Sequence, residues 1–424
     1  MDKSIIKSII LEKHQEIRQL PVMDRGMEFD PALNYVLVGI RRSGKSYTMF
    51  NYIKKLLERG DLTEHGYVYI NFEDERISNI KAEDLGLIID CHKELFGEGK
   101  PLIFLDEIQN IDGWEKFARR IADSKYRVMI TGSNAKMLSG EILTTIGGRY
   151  IAKNVYPFTF AEYLSWNGLT RKQNWEFDKA FLNKSAAMFN KYFHFGGFAE
   201  IFNINDKREW INSLLVKILL GDIIDRNNIR NTRSIRFLTK KLAESVMQPI
   251  SISRLTNILG AAGEKVSRNT VSDYLDFIQD ACLIFKVNNI CSVFAERETN
   301  CKRYFIDNAL LSNYLFDADS KLLENMIAID MLQRYRRADD DGFYYYNKDI
   351  EVDFYVPKEN LAVQVARSIS DSQTMERETN ALKRFSKFQK IKRAVIVTLE
   401  QEERFTDDDI EIEIIPAAKW LLRN

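Results

Sequence analysis

The sequence predicts an α/β fold: a doubly wound parallel sheet followed by a helical lid, a winged helix and a second, C-terminal α/β domain. Three observations predict it. Short apolar runs that read as buried strands, YVLVG (35–39), YVYINF (67–72), LIFLDE (102–107) and YRVMITGSN (126–134), alternate with stretches of helical periodicity, the pattern of βα units in a parallel sheet. Most of these runs break into glycine, hydroxyl or carboxylate residues at their C-terminal ends, where open α/β sheets place their ligands. At 424 residues the chain is too long for one hydrophobic core. The expected parts are an N-terminal helix and lead-in (1–30), the α/β core (31–170), the lid (171–234), the winged helix (235–295) and the C-terminal domain (296–424).

Charge narrows the function classes. The 61 Lys and Arg balance 61 Asp and Glu, for a formal net charge of zero, so no global excess drives binding to nucleic acid or anionic lipid. Any nucleic-acid contact must be a local patch. Cys91, Cys282, Cys291 and Cys301 lack paired C-x-x-C spacing, so no zinc site is expected and the thiols read as those of a reduced, cytoplasmic protein. The N-terminal MDKSIIKSIILEKHQEIRQL has charges interrupting every apolar run, unlike a signal peptide or a membrane span. Its Ile5, Ile6, Ile9, Ile10 and Leu11 instead recur at helical spacing, as in an amphipathic helix lying on the body.

The first strand feeds directly into Gly39, Ile40, Arg41, Arg42, Ser43, Gly44, Lys45 and Ser46, and Tyr47 opens the helical run that follows. This is G-x-x-x-x-G-K-S in its strand–loop–helix context. The chemistry needs this spacing because glycines let backbone N–H groups wrap phosphates while the helix N-terminus presents partial positive charge. Lys45 would reach the β- and γ-phosphates of ATP and Ser46 would ligate Mg²⁺. Arg41 and Arg42 pack against the domain or the adenine edge. Such a loop requires a carboxylate on a neighbouring strand. Asp106 suits the Mg²⁺-linked role, and Glu107 is placed to polarise the attacking water. Glu73, Asp74 and Glu75 end the second strand, either at the nucleotide or as a solvated strand end. Ser133 or Asn134, ending the fourth, would hydrogen-bond the γ-phosphate or the water.

The segments GIRRSGKS, YINFEDER, LIFLDEIQNIDGWEKFARRI, TGSNAKML and GGRYIAKNVYPFTFAEYL, in this order, resemble prokaryotic AAA+ superfamily ATPases of the AAA-14-like branch, whose glycine loop carries a double arginine. That resemblance implies an ATP-binding core with hydrolytic machinery, usually joined to a C-terminal domain of unknown function. It also implies a role for Arg149 at the γ-phosphate, in its own site or a neighbouring subunit's; an ordinary surface ion pair is an equal reading of the same residue.

Beyond residue 170 the composition turns helical. MFNKYFHFGGFAEIF (188–202) sits in the lid of similar proteins, and INSLLVKILLGDIIDRNNIRN (211–231) reads as a long helix and a break, with Asp222 and Arg226 spaced for an i,i+4 pair. Three helical patterns follow, the last capped by Ser267, and CLIFKVNNICSVF (282–294) alternates like a hairpin wing. A helix-turn-helix would put Arg268, Asn269 and Thr270 at the start of its recognition helix. Asp273, Asp276 and Asp280 on the same helix oppose phosphate binding. In the C-terminal part, Glu324, Asp353 and the second strand's Gln364-Val365-Ala366 occupy the places of a restriction-type nuclease site. An amide replaces the acid and alanine the lysine, so a nuclease-like fold without an active site is expected.

The expected function is Mg²⁺-dependent ATP hydrolysis coupled to conformational change, acting on DNA or a protein partner through the C-terminal domains. A homo-oligomer would fit, and no membrane contact is expected. The alternative is a nucleotide-gated binding module with little turnover.

Overall fold

Strand β1 (Asn34–Val38) is buried along its whole length, which suits its apolar, β-branched composition to the middle of a two-sided sheet. In the computed structural model, which describes residues 2–134, 145–293, 296, 299–337, 340–407 and 410–423, β1 is joined by β2 (Tyr67–Asn71), β3 (Leu102–Asp106), β4 (Arg127–Gly132) and β5 (Tyr150–Asn154). The order is β2-β3-β4-β1-β5, with every pairing parallel. Successive side chains of one strand serve opposite faces: Val36 and Val38 enter one core, Tyr35 and Leu37 the other. Helices α1 (Lys3–Gln19), α2 (Lys45–Arg59), α3 (Gly86–Phe96) and α4 (Trp114–Asp123) belong to the same body. The chain divides into two compact units, residues 1–156 with 280–282, and residues 157–279 with 283–424. The first division thus falls at 156, ahead of the expected 170.

Helix α1 buries Ile6, Ile9, Ile10 and Ile17, whereas Leu11, expected on this face, is exposed. His14 lies buried on the same helix, with Nε2 2.9 Å from the Tyr67 carbonyl and its ring stacked 5.5 Å from Phe96. Burial depresses its pKa to about 4, outweighing the carbonyl bond, with His65 and His92 adding repulsion. The folded state therefore binds fewer protons than the unfolded chain between pH 6.5 and 4, and the stability this ring contributes is lost as pH falls through that window. The melting midpoint should drop across it, and a His14→Phe variant followed by circular dichroism should show a flatter profile.

The second unit begins with α5 (Phe160–Trp166), α6 (Lys179–Phe195) and α7 (Lys207–Lys217). The expected long helix at 211–231 continues from α7 as a π-helical segment over Ile218–Asp225, and Asp222 and Arg226 do pair, at 3.5 Å. Next come α8 (Thr232–Glu244), β6 (Ile250–Ser251), α9 (Ile252–Ala261), α10 (Arg268–Asp280), β7 (Ile284–Val287) and β8 (Asn300–Phe305). The three strands form an antiparallel sheet in the order β6-β8-β7. Ser267 caps α10 as expected, its Oγ accepting the Thr270 N–H at 3.1 Å. The strand that pairs with β7 is β8; the expected wing stretch runs to Phe294, which lies outside the described residues. Strand β8 thus pairs with β6 and β7 across the boundary expected at 295.

The rest of the chain forms α11 (Asn308–Ser312), α12 (Asp319–Tyr335), β9 (Tyr344–Asn347), β10 (Glu351–Val356), β11 (Leu361–Val365), α13 (Ser372–Ser386), β12 (Arg393–Thr398), β13 (Glu403–Asp407), β14 (Ile410–Pro416) and α14 (Ala417–Trp420). Its six-stranded mixed sheet has the order β13-β14-β12-β11-β10-β9. Strands β9, β10 and β11 form an antiparallel meander, and β12 continues parallel to β11. Among the described residues no helix is long and apolar enough to cross a membrane.

Candidate phosphate-binding site

At the C-terminal edge of the first sheet, β1 passes into the glycine loop. A Cβ on Gly39 would stand 2.0 Å from the Val155 carbonyl oxygen, a distance no side chain tolerates, so only glycine lets the loop leave the strand here. Gly44 caps α2 with φ 98°, backbone that glycine adopts without strain. Arg25 buttresses the loop by donating to the Ser43 and Tyr156 carbonyls at 3.2 and 2.9 Å. Ser43 Oγ is buried without a hydrogen-bond partner; an orphaned hydroxyl at such a turn suits a ligand oxygen.

Lys45 is buried. Its ammonium donates to the Gly39 and Ile40 carbonyls at 3.0 and 3.4 Å and lies 3.2 Å from Glu107 Oε1. Ser46 Oγ donates to Asp106 Oδ2 at 2.6 Å. Asp106 also accepts from the Tyr69 hydroxyl at 2.5 Å and from Thr131 Oγ1. Thr131 in turn accepts the Glu107 N–H at 2.9 Å. Gln109 Nε2 donates to Glu107 Oε2 at 2.5 Å and reaches Ser133 Oγ at 3.4 Å, while its Oε1 is buried and unpartnered.

The two adjacent carboxylates are driven apart electrostatically. Full burial raises the pKa of Asp106, and the charge on Glu107 adds to the rise against the three hydroxyl donors. Burial would raise Glu107 as well, but the Lys45 ammonium and the Gln109 amide more than offset it, so its carboxyl stays below the ordinary range. Glu107 also sits at φ 53°, a left-handed backbone that costs a non-glycine residue about 1–3 kcal/mol.

Four residues expected at the site, Lys45, Ser46, Asp106 and Glu107, are thus joined directly, and Ser133 joins them through Gln109. Asn134 follows at the strand end, where the described residues stop until 145. Arg41 pairs with Glu73 at 2.9 Å, Asp74 caps the short turn after β2, and Tyr47 is exposed on α2. Arg149 is not brought here. It precedes β5, whose Tyr150 pairs with Asn34 and whose Asn154 pairs with Val38. It therefore lies at the opposite sheet edge, about 16 Å from the loop at roughly 3.3 Å per residue, and it bonds Asp123 at 2.5 Å. A γ-phosphate contact within its own site is corrected accordingly. Tyr69, Thr131, Gln109 and Arg25 escaped sequence reasoning. Thr131 had a legible signal: a hydroxyl in an otherwise apolar buried strand must find a partner.

Chemically, the edge offers a loop of backbone amides and an ammonium for phosphates. The Ser46 hydroxyl and an Asp106 oxygen, 2.6 Å apart, are hard oxygen donors of the kind Mg²⁺ takes.

Several known proteins and family models are similar to this chain. Residues 33–164 match the family model described as "AAA domain", and residues 186–322 match a domain of unknown function, DUF8612. An uncharacterized protein of Methanocaldococcus jannaschii is 33% identical over 100% of this chain and 96% of its own. An uncharacterized protein of Haemophilus influenzae is 29% identical over 92% and 94%. Among solved structures, the Aeropyrum pernix ORC2 protein in its ADPNP–ADP complexes is similar over 77% of this chain and 92% of its own, at 12% identity and TM-score 0.37. AMPPCP-bound DnaA from Aquifex aeolicus covers 63% and 86%, at 14% identity and TM-score 0.24.

Proposed function

Since the chain belongs to a family with an AAA+ P-loop ATPase core, we propose that it binds ATP with Mg²⁺ and hydrolyses it. The observation that carries this reading is the meeting of Lys45 and Glu107, 3.2 Å apart at the mouth of the glycine loop. Lys45 has only carbonyls and one carboxylate as partners there. The phosphates of ATP compete with Glu107 for its ammonium, and their arrival releases the carboxylate toward a water at the γ-phosphate. Gln109 and Thr131 hold Glu107 from its side chain and its N–H. Mg²⁺, held by Ser46 and through its water shell by Asp106, would neutralise charge on the phosphates.

The test is steady-state phosphate release. Lys45→Ala should lower turnover to the uncatalysed background and abolish ATP binding in calorimetry. Equal turnover in wild type and Lys45→Ala would sink the hydrolytic reading.

The same ion pair favours a second reading. A base held by Lys45 and Gln109 in the absence of nucleotide turns over slowly, as in a nucleotide-gated binding module. In either case the output is a change in loops that contact nucleotide, passed to a partner of the second unit. Helix α10 exposes Asp273 and Asp276 beside Arg268 and Asn269, a surface better matched to a protein than to a phosphate backbone. A gel-shift series at stated salt, with duplex and single-stranded DNA, distinguishes the two partners.

A further inference from the structure

The C-terminal domain runs helix, three-stranded meander, helix, parallel strand: α12, β9–β11, α13, β12. This is the order in which restriction-type nucleases present a divalent ion to carboxylates from the first helix and the meander. Glu324 on α12 and Asp353 on β10 do converge, but on an ammonium. Lys302, from strand β8 of the three-stranded sheet, lies 3.2 Å from Glu324, 3.3 Å from Asp353 and 3.0 Å from Glu351, with its side chain wholly buried. The Tyr345 ring faces the same ammonium at 5.4 Å.

The surroundings are built for this cation. The Tyr304 hydroxyl donates to Glu324 at 2.6 Å, and the Val365 N–H donates to the second oxygen of Asp353 at 2.9 Å. Gln364, which stands in the acid position, is used entirely on backbone. Its Oε1 accepts the Asp353 N–H at 2.8 Å and its Nε2 donates to the Glu351 carbonyl at 3.1 Å. A carboxylate could not make the second bond, so the amide is part of the β10–β11 seam and is unavailable as a ligand. A divalent ion bound by Glu324 and Asp353 would need oxygens at about 2.0–2.6 Å, which puts it on top of the Lys302 nitrogen. Among the described residues, no three His, Cys, Asp or Glu side chains are grouped so as to hold a metal ion.

We propose that Lys302 is a resident cation filling the divalent-ion position of this domain, so that the carboxylates clamp the winged-helix sheet to the C-terminal domain instead of serving phosphodiester hydrolysis. The arrangement has a physical rationale. A buried ammonium is costly unless it is paired in good geometry, and here Glu324, Glu351 and Asp353 all lie within 3.3 Å of it.

The experiment uses the full chain without nucleotide and compares melting midpoints in EDTA and in millimolar Mn²⁺. The wild type should not respond to Mn²⁺. Lys302→Ala should melt lower in EDTA, because three carboxylates lose their cation, and Mn²⁺ should restore roughly 5 °C. Lys302→Ala combined with Asp353→Asn should not be restored. The proposal is overturned if Lys302→Ala melts like the wild type, or if Mn²⁺ does not restore it. Should Lys302→Ala fail to fold, calorimetric Mn²⁺ titration of wild type and Glu324→Gln decides. Equal stoichiometry supports the ammonium, and an ion lost with Glu324 overturns it.

Discussion

Glu107→Gln should lower ATP turnover by about 10²–10⁴-fold, the range for loss of a general base, while binding ATP more tightly than the wild type. The two effects share one cause. In the wild type the Glu107 carboxylate is an internal anion 3.2 Å from the Lys45 ammonium, and an incoming phosphate must displace it. The amide carries no charge, so Lys45 is released to nucleotide, and the affinity gain should be on the order of a few-fold to tenfold, matching about 1 kcal/mol of ion pairing. The substitution is nearly isosteric and keeps the residue in its left-handed backbone at φ 53°, so fold and loop should be retained. Single-turnover kinetics together with calorimetry read both quantities. A variant that turns over within tenfold of wild type would show that the base is another group. A variant that binds more weakly would show that the Lys45 contact supports the site rather than competing with substrate.

How much of this was legible follows from what kind of residue carries each feature. Buried parallel strands are runs of apolar residues, so β1, β3 and β4 could be read directly, and the glycine loop is marked by spacing alone. Strand β5 was hidden, because as an edge strand it carries exposed Ile151 and a lysine, YIAKN, with no continuous apolar run. Thr131 and Tyr69 were hidden for the opposite reason: they sit inside strands and look like core until the fold brings both hydroxyls to Asp106. Arg25 lies in a segment without periodicity, and its bonds reach Tyr156 far along the chain. Arg149 shows the limit of motif logic. Its place in the chain order left a γ-phosphate contact and an ordinary ion pair equally open, and strand direction puts it at the far edge, paired with Asp123. Lys302 reads as one residue of an ordinary strand, and only tertiary packing makes it the centre of three carboxylates.

Asp106→Asn should remove the function of the site while leaving the protein as stable as before or more so. The wild-type carboxyl is buried completely beside Glu107, and its pKa is raised by that burial first and by the neighbouring charge second. The folded state therefore holds a proton that the unfolded chain has released. That contribution to stability is fully present below the ordinary carboxylate value of 3.8 and is lost as pH rises through the raised native value. Above that raised value the protein bears the cost of a buried, repelled anion. An asparagine removes the charge and still serves the three hydroxyls: Oδ1 accepts from two, and the third, being both donor and acceptor, can receive a bond from Nδ2. A gain of roughly 0.5–2 kcal/mol at pH 7.5 is expected, as when a strained functional group is neutralised, and the stability–pH slope due to this residue should flatten. The amide cannot anchor a magnesium water shell by charge, so the Mg²⁺ concentration for half-maximal turnover should rise roughly 10–100-fold. Thermal melts from pH 4 to 8 and Mg²⁺ titrations of phosphate release test the two halves separately. If Asp106→Asn melts lower and keeps its Mg²⁺ dependence, the carboxylate is a tether for Ser46, Tyr69 and Thr131, and the metal role belongs to another residue.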